Sequence, residues 1–253
     1  MATTQLWLHL LDQYSSSTIE FAGTSIVQFV FFWTVSAIYI ALPYIAPKFS
    51  ARHKLQKTEK LPTPSELWDC LTIVTRNQVI TSMIHGVLII LRGRQPVYRV
   101  DAILPGLVEI LRDVTLAALF HDILYYYTHR LIHHPSLYPA IHKLHHHFTA
   151  PVALASQYAT PAEHLFSNLM PVVLPFIILK VHIVTFWAGL AFDLMQTSTF
   201  HSGFDFFAGN ARFHDAHHEK FVVNFGSVGL LDWLHGTRDS KSSYLYFNFW
   251  SIL

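Results

Sequence analysis

Three histidine clusters carry the clearest chemistry in this sequence. They read His129-Arg-Leu-Ile-His133, His142-Lys-Leu-His145-His146 and His214-Asp-Ala-His217-His218. On a helix, residues three or four positions apart lie on one face, so each cluster is predicted to present its imidazoles toward one point. Imidazole binds iron, zinc, copper and nickel. Each cluster is therefore predicted to form an incomplete metal site that needs ligands from elsewhere in the chain.

The number of histidines indicates more than one metal ion. The 253 residues include 18 histidines, most of them between His121 and His218. The eight in the clusters exceed what one tetrahedral zinc ion can use, so two metals are expected. The histidines expected to be structural, interfacial or mere neighbours of ligands are His85, His134, His147, His182 and His235.

The composition indicates a membrane protein. Apolar residues make up 52% of the chain and charged residues 13%, whereas an ordinary soluble domain carries about 25% charged residues. The 17 basic residues nearly balance the 16 acidic ones, so no nucleic-acid partner is expected. The single cysteine, Cys70, cannot form an internal disulfide and is expected to be buried. The N-terminus lacks the features of a cleaved signal peptide.

The elements that must position the clusters are apolar segments of membrane length. Residues 25–46 are uncharged and long enough for a transmembrane helix. The basic loop that follows predicts that the loop is cytosolic and that the N-terminus is lumenal or external. The basic residues of the loop are Lys48, Arg52, Lys54, Lys57 and Lys60. Residues 78–91 are short for a span, and 101–127 are expected to form a helix that faces protein rather than lipid.

Residues 165–200 are predicted to form a helical hairpin with its turn near Lys180, because one helix of that length would overshoot a bilayer. The hairpin returns the third cluster to the side of the first two. We therefore expect an all-α integral membrane protein with about four transmembrane helices in two hairpins and a histidine-rich metal site at the cytosolic membrane edge.

The motifs HRLIHH, YPAIHKLHHHFTAP, HSGFDF, FHDAHHEKFVVNFG and DWLHGT resemble the fatty acid hydroxylase and sterol desaturase superfamily, and sterol C4-methyl oxidases most of all. The resemblance implies a di-iron domain over 77–238, after a membrane anchor and basic loop at 1–76 and before a tail at 239–253. It implies an enzyme of the endoplasmic reticulum membrane that oxidises a lipid-like substrate with O2. Electrons would come from NAD(P)H through cytochrome b5 or its reductase.

The same resemblance implies site residues. The implied metal ligands are His129, His133, His142, His145, His146, His201, His214, His217 and His218. Asp122, Glu163 and Asn224 are the implied catalytic polar residues. Arg130 also matches a polar residue of the family's pattern. Asp122 lies seven residues before His129 and is expected either to orient a ligand imidazole by hydrogen bonding or to be an ordinary buried polar residue.

One position departs from the family pattern. Thr160 stands where the family usually has a histidine, and His164 lies one helical turn later. A shift of four residues moves an imidazole by about 5 Å. Either His164 replaces the missing ligand by rearrangement, or the site works without it and His164 is structural.

The favoured activity is hydroxylation or other oxidation of a C–H bond in a sterol, fatty-acyl or terpenoid-like lipid. Desaturation on the same centre is the near alternative, since both begin with hydrogen abstraction. A membrane metal transporter is the alternative from another class, because histidine pairs also line metal pathways. A membrane zinc hydrolase needs only three ligands and is disfavoured.

Overall fold

The computed structural model describes residues 2–56, 62–148, 152–206 and 209–239. These residues form helices and turns, and the only β-type pairing among them consists of two isolated bridges, Lys54 with Phe204 and Arg99 with His182. The all-α prediction is confirmed. The predicted tail lies outside the described residues except for residue 239, and so do Lys57 and Lys60 of the basic loop.

The N-terminal part is a short helix followed by a long apolar one. Helix α1 covers Ala2–Gln13 and α2 covers Ser16–Ile45. The hydroxyl of Ser15 accepts a hydrogen bond from Thr18 N at 3.2 Å and caps the start of α2, because the first turn of a helix has unpaired N–H groups. Helix α2 begins nine residues before the predicted span. A short helix, α3 at Pro47–His53, follows it.

Helix α4 covers Pro64–Leu91 and has 28 residues. Its start is fixed by a capping box: Thr63 Oγ1 accepts from Glu66 N at 3.2 Å and Glu66 Oε2 accepts from Thr63 N at 2.7 Å. The apolar stretch at 78–91 is therefore the second half of a longer helix. Its polar first half makes the helix long enough to cross a bilayer.

Helix α5 covers Leu107–Ile132. This segment was predicted to face protein rather than lipid, but only one side of the helix is buried. Asp113, Asp122 and His129 are buried on one side, while Val108 and Leu111 are 81% and 58% exposed on another. These three polar side chains face the interior and the apolar ones face outward, as expected of a helix in contact with lipid. Its interior face carries the first histidine cluster.

The second half of the chain contains the predicted hairpin. A one-turn helix, α6 at Tyr138–Ile141, precedes 3₁₀ turns at His145–His147 and Ala153–Gln157. The hairpin then consists of α7, Pro161–Ile178, and α8, Ile183–Phe200. Lys180 has a φ of 51° in the connecting turn, close to the predicted position. Helices α9, Asn210–Lys220, and α10, Leu230–His235, complete the described chain.

In the described part of the chain, three helices are long and apolar enough to cross a membrane: α2, α4 and α7. Side chains exposed on them include Ile38, Met83 and Ile90, at 54%, 66% and 67%. Exposed apolar side chains in such a band are suited to a lipid surface. Four spans in two hairpins remain the prediction for the whole chain.

The turn of the hairpin is held at the end opposite to the histidines. Arg99 N donates to Val181 O at 3.0 Å, and Ile183 N donates to Arg99 O at 2.8 Å. His182 accepts from Val184 N at 3.2 Å and caps α8. These bonds join the α4–α5 connection to the α7–α8 turn. The start of α7 and the end of α8 consequently lie together at the other end, beside the histidine clusters.

Candidate metal centre

The structure brings the nine predicted ligand histidines together in two groups. In each group, ring nitrogen atoms lie within 4.8 Å of one another. Group A contains His129, His133, His142, His146 and His217, and group B contains His145, His201, His214 and His218. All of these side chains are buried except that of His133, which is partly buried. Neither group includes a carboxylate or a cysteine from the described residues.

The grouping corrects the prediction that each cluster points at one place. The first cluster does contribute both of its histidines to group A. The second and third clusters are each divided between the groups. His145 and His218 belong to group B, whereas their chain neighbours His146 and His217 belong to group A. Adjacent histidines thus serve different groups.

Local backbone geometry explains part of this division. The second cluster was predicted to lie on an α-helix, but it does not. Helix α6 ends at Ile141, and a turn leads into the 3₁₀ segment His145–His147. The third cluster does lie on a helix, α9. Successive residues of an α-helix point about 100° apart, so His217 and His218 diverge toward opposite groups. A pair of adjacent histidines can therefore bridge two neighbouring sites.

Backbone carbonyls orient three of the imidazoles. His129 Nδ1 donates to Phe225 O at 2.7 Å, His217 Nδ1 donates to Val223 O at 2.7 Å, and His201 Nδ1 donates to Thr197 O at 2.8 Å. A carbonyl oxygen can only accept, so the proton of each neutral ring is on Nδ1. Nε2 is left with a lone pair directed into the group. Metal-bound histidines characteristically have such a partner on the other nitrogen.

Glu163 performs the same task for His142. Its Oε1 lies 2.8 Å from His142 Nδ1, and both side chains are almost fully buried. The carboxylate therefore contacts an imidazole of group A through its outer nitrogen. Glu163 was predicted to be a catalytic polar residue, and the structure gives it a specific partner, His142.

The facing nitrogens are suited to a shared cation. His129 Nε2 and His142 Nε2 are 3.2 Å apart, and His201 Nε2 and His214 Nε2 are 2.9 Å apart. Two nitrogens bound to one metal at about 2.1 Å lie about 3.0 to 3.4 Å apart at octahedral or tetrahedral angles. Without a positive charge between them, their lone pairs would repel. The donor set fits one metal ion in each group.

Burial keeps these imidazoles neutral, which is the form that binds a metal. Desolvation, and secondarily the neighbouring His129, lowers the pKa of His142 well below its ordinary value. Desolvation and His133 lower the pKa of His217 in the same way. A proton is therefore a poor substitute for a metal ion between the rings.

Asp122 orients no ligand imidazole directly, in contrast to the first of its two predicted roles. Its Oδ1 accepts hydrogen bonds from Ser227 N at 3.0 Å, Ser227 Oγ at 2.8 Å and Val228 N at 3.2 Å. These residues belong to the loop after α9 that also carries Phe225, the acceptor of the His129 proton. Asp122 thus holds the loop on which a ligand depends.

Asp232 also holds this loop, and the sequence reasoning gave it no role. Its buried carboxylate accepts from Phe225 N at 2.8 Å, Gly226 N at 2.7 Å and Thr237 Oγ1 at 2.7 Å. A Cβ on Gly226 would lie 2.9 Å from Asp232 Oδ2, so the close approach requires glycine. The only sequence signal was the position of Asp232 in the motif DWLHGT.

Asn224 anchors this loop to the helix of the third cluster. Its Nδ2 donates to Phe213 O at 2.9 Å, and Phe213 directly precedes His214 on α9. Asn224 adopts a left-handed conformation with a φ of 57°, which asparagine tolerates better than most residues. The described contacts of Asn224 assign it to support of the site.

The contacts of Thr160 and His164 bear on whether His164 replaces the histidine that the family usually has at position 160. Thr160 caps α7, where its hydroxyl accepts from Glu163 N at 3.3 Å, and it donates to Ile141 O at 2.9 Å beside the second cluster. His164 belongs to neither imidazole group. Its Nε2 lies 3.1 Å from Thr81 Oγ1 on α4. His164 does not take over the position of the missing ligand.

The histidines that were predicted to be structural also lie outside both groups. His85 Nε2 is 3.1 Å from Glu20 Oε1, His182 caps α8, and His235 Nε2 is 3.0 Å from the hydroxyl of Tyr127. His147 is exposed on the 3₁₀ turn, and His134 Nδ1 is 2.7 Å from Ser136 Oγ.

A cavity of about 160 Å³ reaches both groups. His129 and His142 of group A border it, and so do His201 and His214 of group B. Along α8 the lining extends from His201 to Phe186, a distance of about 22 Å in an α-helix. The cavity thus leads from the imidazoles into the interior of the helical assembly.

We expect Glu163→Gln to weaken metal binding by about 10- to 100-fold, because the neutral amide polarises His142 less than a carboxylate does. The measurement is the affinity of the purified protein for Fe(II) by competition with a chelator. Glu109→Gln is the matched control, since Glu109 pairs with Arg99 at the opposite end of α5. Equal affinities for Glu163→Gln and the unaltered chain would contradict this role.

Comparisons with known proteins agree with this architecture. The family model described as fatty acid hydroxylase matches residues 114–237, which include the nine histidines of groups A and B. No solved structure matches the chain.

Three relatives illustrate the similarity. Human fatty acid hydroxylase domain-containing protein 2 is 34% identical over 241 residues, covering 91% of this chain and 71% of that protein. Fatty acid hydroxylase ahd1 of Mycosarcoma maydis is 32% identical, covering 94% of this chain and 62% of that protein. Methylsterol monooxygenase 1 of Danio rerio is 30% identical, covering 94% of this chain and 83% of that protein.

Proposed function

Since the chain belongs to the fatty acid hydroxylase family and is a lipid-oxidising membrane enzyme, we propose that it is a di-iron monooxygenase. Groups A and B would each hold one iron ion. The reaction would insert an oxygen atom from O2 into a C–H bond of a sterol, fatty-acyl or terpenoid-like lipid. The relatives named as fatty acid hydroxylases and a methylsterol monooxygenase support the fatty-acyl and sterol parts of this range.

The observation that carries the proposal is the pairing of two all-imidazole groups at one end of a cavity. Five and four imidazoles exceed the three protein ligands of a catalytic zinc site. Imidazole also suits iron, and bound iron supplies one-electron and oxygen chemistry. A lipid that enters the cavity from the bilayer would place a carbon beside both groups.

The residues of the chain hold and tune this centre. The Phe225, Val223 and Thr197 carbonyls fix the rings of His129, His217 and His201 with Nε2 directed inward. Glu163 increases the basicity of His142 through its outer nitrogen. Apolar side chains of α7 and α8, including Val172, Phe186 and Leu190, line the cavity. They would receive the hydrocarbon part of the substrate and exclude water.

The cellular setting belongs to the same proposal. We place the histidine end of the bundle on the cytosolic side of the endoplasmic reticulum membrane, on the basis of the basic loop after α2. Electrons would arrive from NAD(P)H through cytochrome b5 or its reductase. Reconstitution with purified cytochrome b5 and its reductase, compared with each component alone, tests the redox partner.

Metal transport is less consistent with the geometry. A transport path needs exchangeable ligands spaced along the membrane depth. Here the imidazoles form two compact groups at helix ends and turns: His133 caps the end of α5 and His201 caps the end of α8. The arrangement favours retention of the ions.

The proposed function is tested by metal analysis combined with product analysis. We expect two iron ions per purified chain, and O2-dependent lipid products that carry the oxygen isotope when ¹⁸O2 is supplied. Products that lose two hydrogens without gaining oxygen would instead identify a desaturase. A chain that retains zinc as its only metal and forms no oxygen-dependent product would overturn the proposal.

A further inference from the structure

The cavity carries a patch of polar side chains that the two imidazole groups do not use. We call it the polar patch, and it consists of His164 and Asn168 on α7 with Thr81 on α4. His164 and Asn168 lie in a π-helical turn, His164–Leu169. Residues four positions apart in such a turn lie nearly above one another, so both face the cavity. Wide turns of this type occur frequently at functional sites.

Two nitrogen atoms of the polar patch are buried without a hydrogen-bond partner among the described residues: His164 Nδ1 and Asn168 Nδ2. The His164 side chain is only 6% exposed, and its other nitrogen already contacts Thr81 Oγ1 at 3.1 Å. Buried polar groups nearly always have a partner. These two atoms are therefore available to a polar group of a molecule in the cavity.

The chemistry of the patch specifies that polar group. Asn168 Nδ2 can only donate a hydrogen bond, whereas a neutral imidazole nitrogen can accept one. A hydroxyl satisfies both, because its oxygen accepts from Asn168 while its hydrogen is donated to His164. The described lining contains no lysine or arginine but does contain Glu163 and Asp193. A free carboxylate would therefore be poorly accommodated.

We propose that His164 and Asn168 bind an uncharged hydroxyl of the lipid substrate and so determine which lipids enter. This inference rests on the proposed function for the identity of the reaction, and it assigns the substrate class as hydroxylated lipids rather than free fatty acids. It also gives His164 a role that differs from that of the histidine replaced by Thr160.

The position of the patch sets where the hydroxyl lies. His164 directly follows Glu163, which contacts His142 of group A. A second polar pair in the cavity, His121 with Asp193, is 3.8 Å apart and lies eight residues from His129 and His201. That corresponds to about 12 Å along a helix. The polar patch is thus the anchor nearer to the metal groups.

Equilibrium binding to the purified full chain, without reductant, tests the proposal. The labelled probes are cholestanol against cholestane, and octadecanol against octadecane and octadecanoate. We expect the unaltered chain to prefer at least one alcohol over its hydrocarbon by about tenfold or more, and octadecanol over octadecanoate. His164→Leu and Asn168→Leu should each remove most of that preference. His164→Gln should retain part of it, because an amide still forms hydrogen bonds.

His147→Leu is the matched control, because His147 is exposed and outside the cavity. The proposal is overturned if neither alcohol is preferred by the unaltered chain, or if the preference survives in both leucine variants. It is also overturned if only His121→Leu removes the preference, which would move the anchor to the distal pair. Since binding is measured without turnover, an inactive or iron-free protein would count against the proposed function and leave this result interpretable.

Discussion

Replacing His217 or His218, which are adjacent in the chain, is expected to weaken the binding of a different metal ion in each case. His217 belongs to group A and His218 to group B, so His217→Ala and His218→Ala should each lower the occupancy of one ion and leave the other in place. The loss should be larger for His218→Ala, which leaves three imidazoles in its group instead of four. Turnover should be abolished in both, because two-metal oxygen chemistry cannot proceed with one ion. Membrane insertion should be unchanged, since it depends on the apolar helices.

The second cluster provides the same comparison with a graded outcome. His146→Ala leaves four imidazoles in group A, whereas His145→Ala leaves three in group B. We therefore expect His145→Ala to lose its metal more completely. Elemental analysis of purified variants gives the stoichiometry, and His147→Ala is the control that should keep both ions and most activity. Loss of both ions from every variant would contradict two separate groups.

Removal of the Asp232 carboxylate is expected to cause the largest loss of stability among non-ligand changes. Asp232→Ala leaves the buried Phe225 and Gly226 N–H groups and the Thr237 hydroxyl without their acceptor. Each unpaired buried group costs about 1 to 3 kcal/mol. The variant should therefore lose about 3 kcal/mol or more, which lowers Tm by roughly 6 to 12 °C in a chain of this size.

The same change should also weaken the metal centre. Phe225 supplies the carbonyl that orients His129, so a displaced loop lowers the metal affinity of group A more than that of group B. Thermal unfolding in detergent and metal titration check the two effects. Asp232→Asn, which keeps one acceptor oxygen, should be intermediate. Asp12→Ala, at an exposed position of α1, is the control, and an equal Tm for Asp232→Ala and Asp12→Ala would refute the role of Asp232.

Local sequence patterns predicted the helical hairpin and eight of the nine candidate ligands. The hairpin followed from the length of an apolar stretch with Lys180 near its midpoint, because the helical rise per residue and the bilayer thickness are both constant. The convergence of the histidine clusters followed from that hairpin. The hairpin and the convergence of the clusters depend on spacing along the chain, which a sequence displays directly. His201, by contrast, came from resemblance to the family.

Only the tertiary structure decided how the imidazoles are shared. Membership of His145 and His146 in different groups depends on a turn and on neighbours from other segments, His201 for His145 and His133 for His146. The hydrogen-bond partners of Asp122 lie on a loop that is distant from it in sequence, with Ser227 105 residues away. A helical period predicts the direction of a side chain from its own axis, but the groups that meet it depend on how separate helices pack.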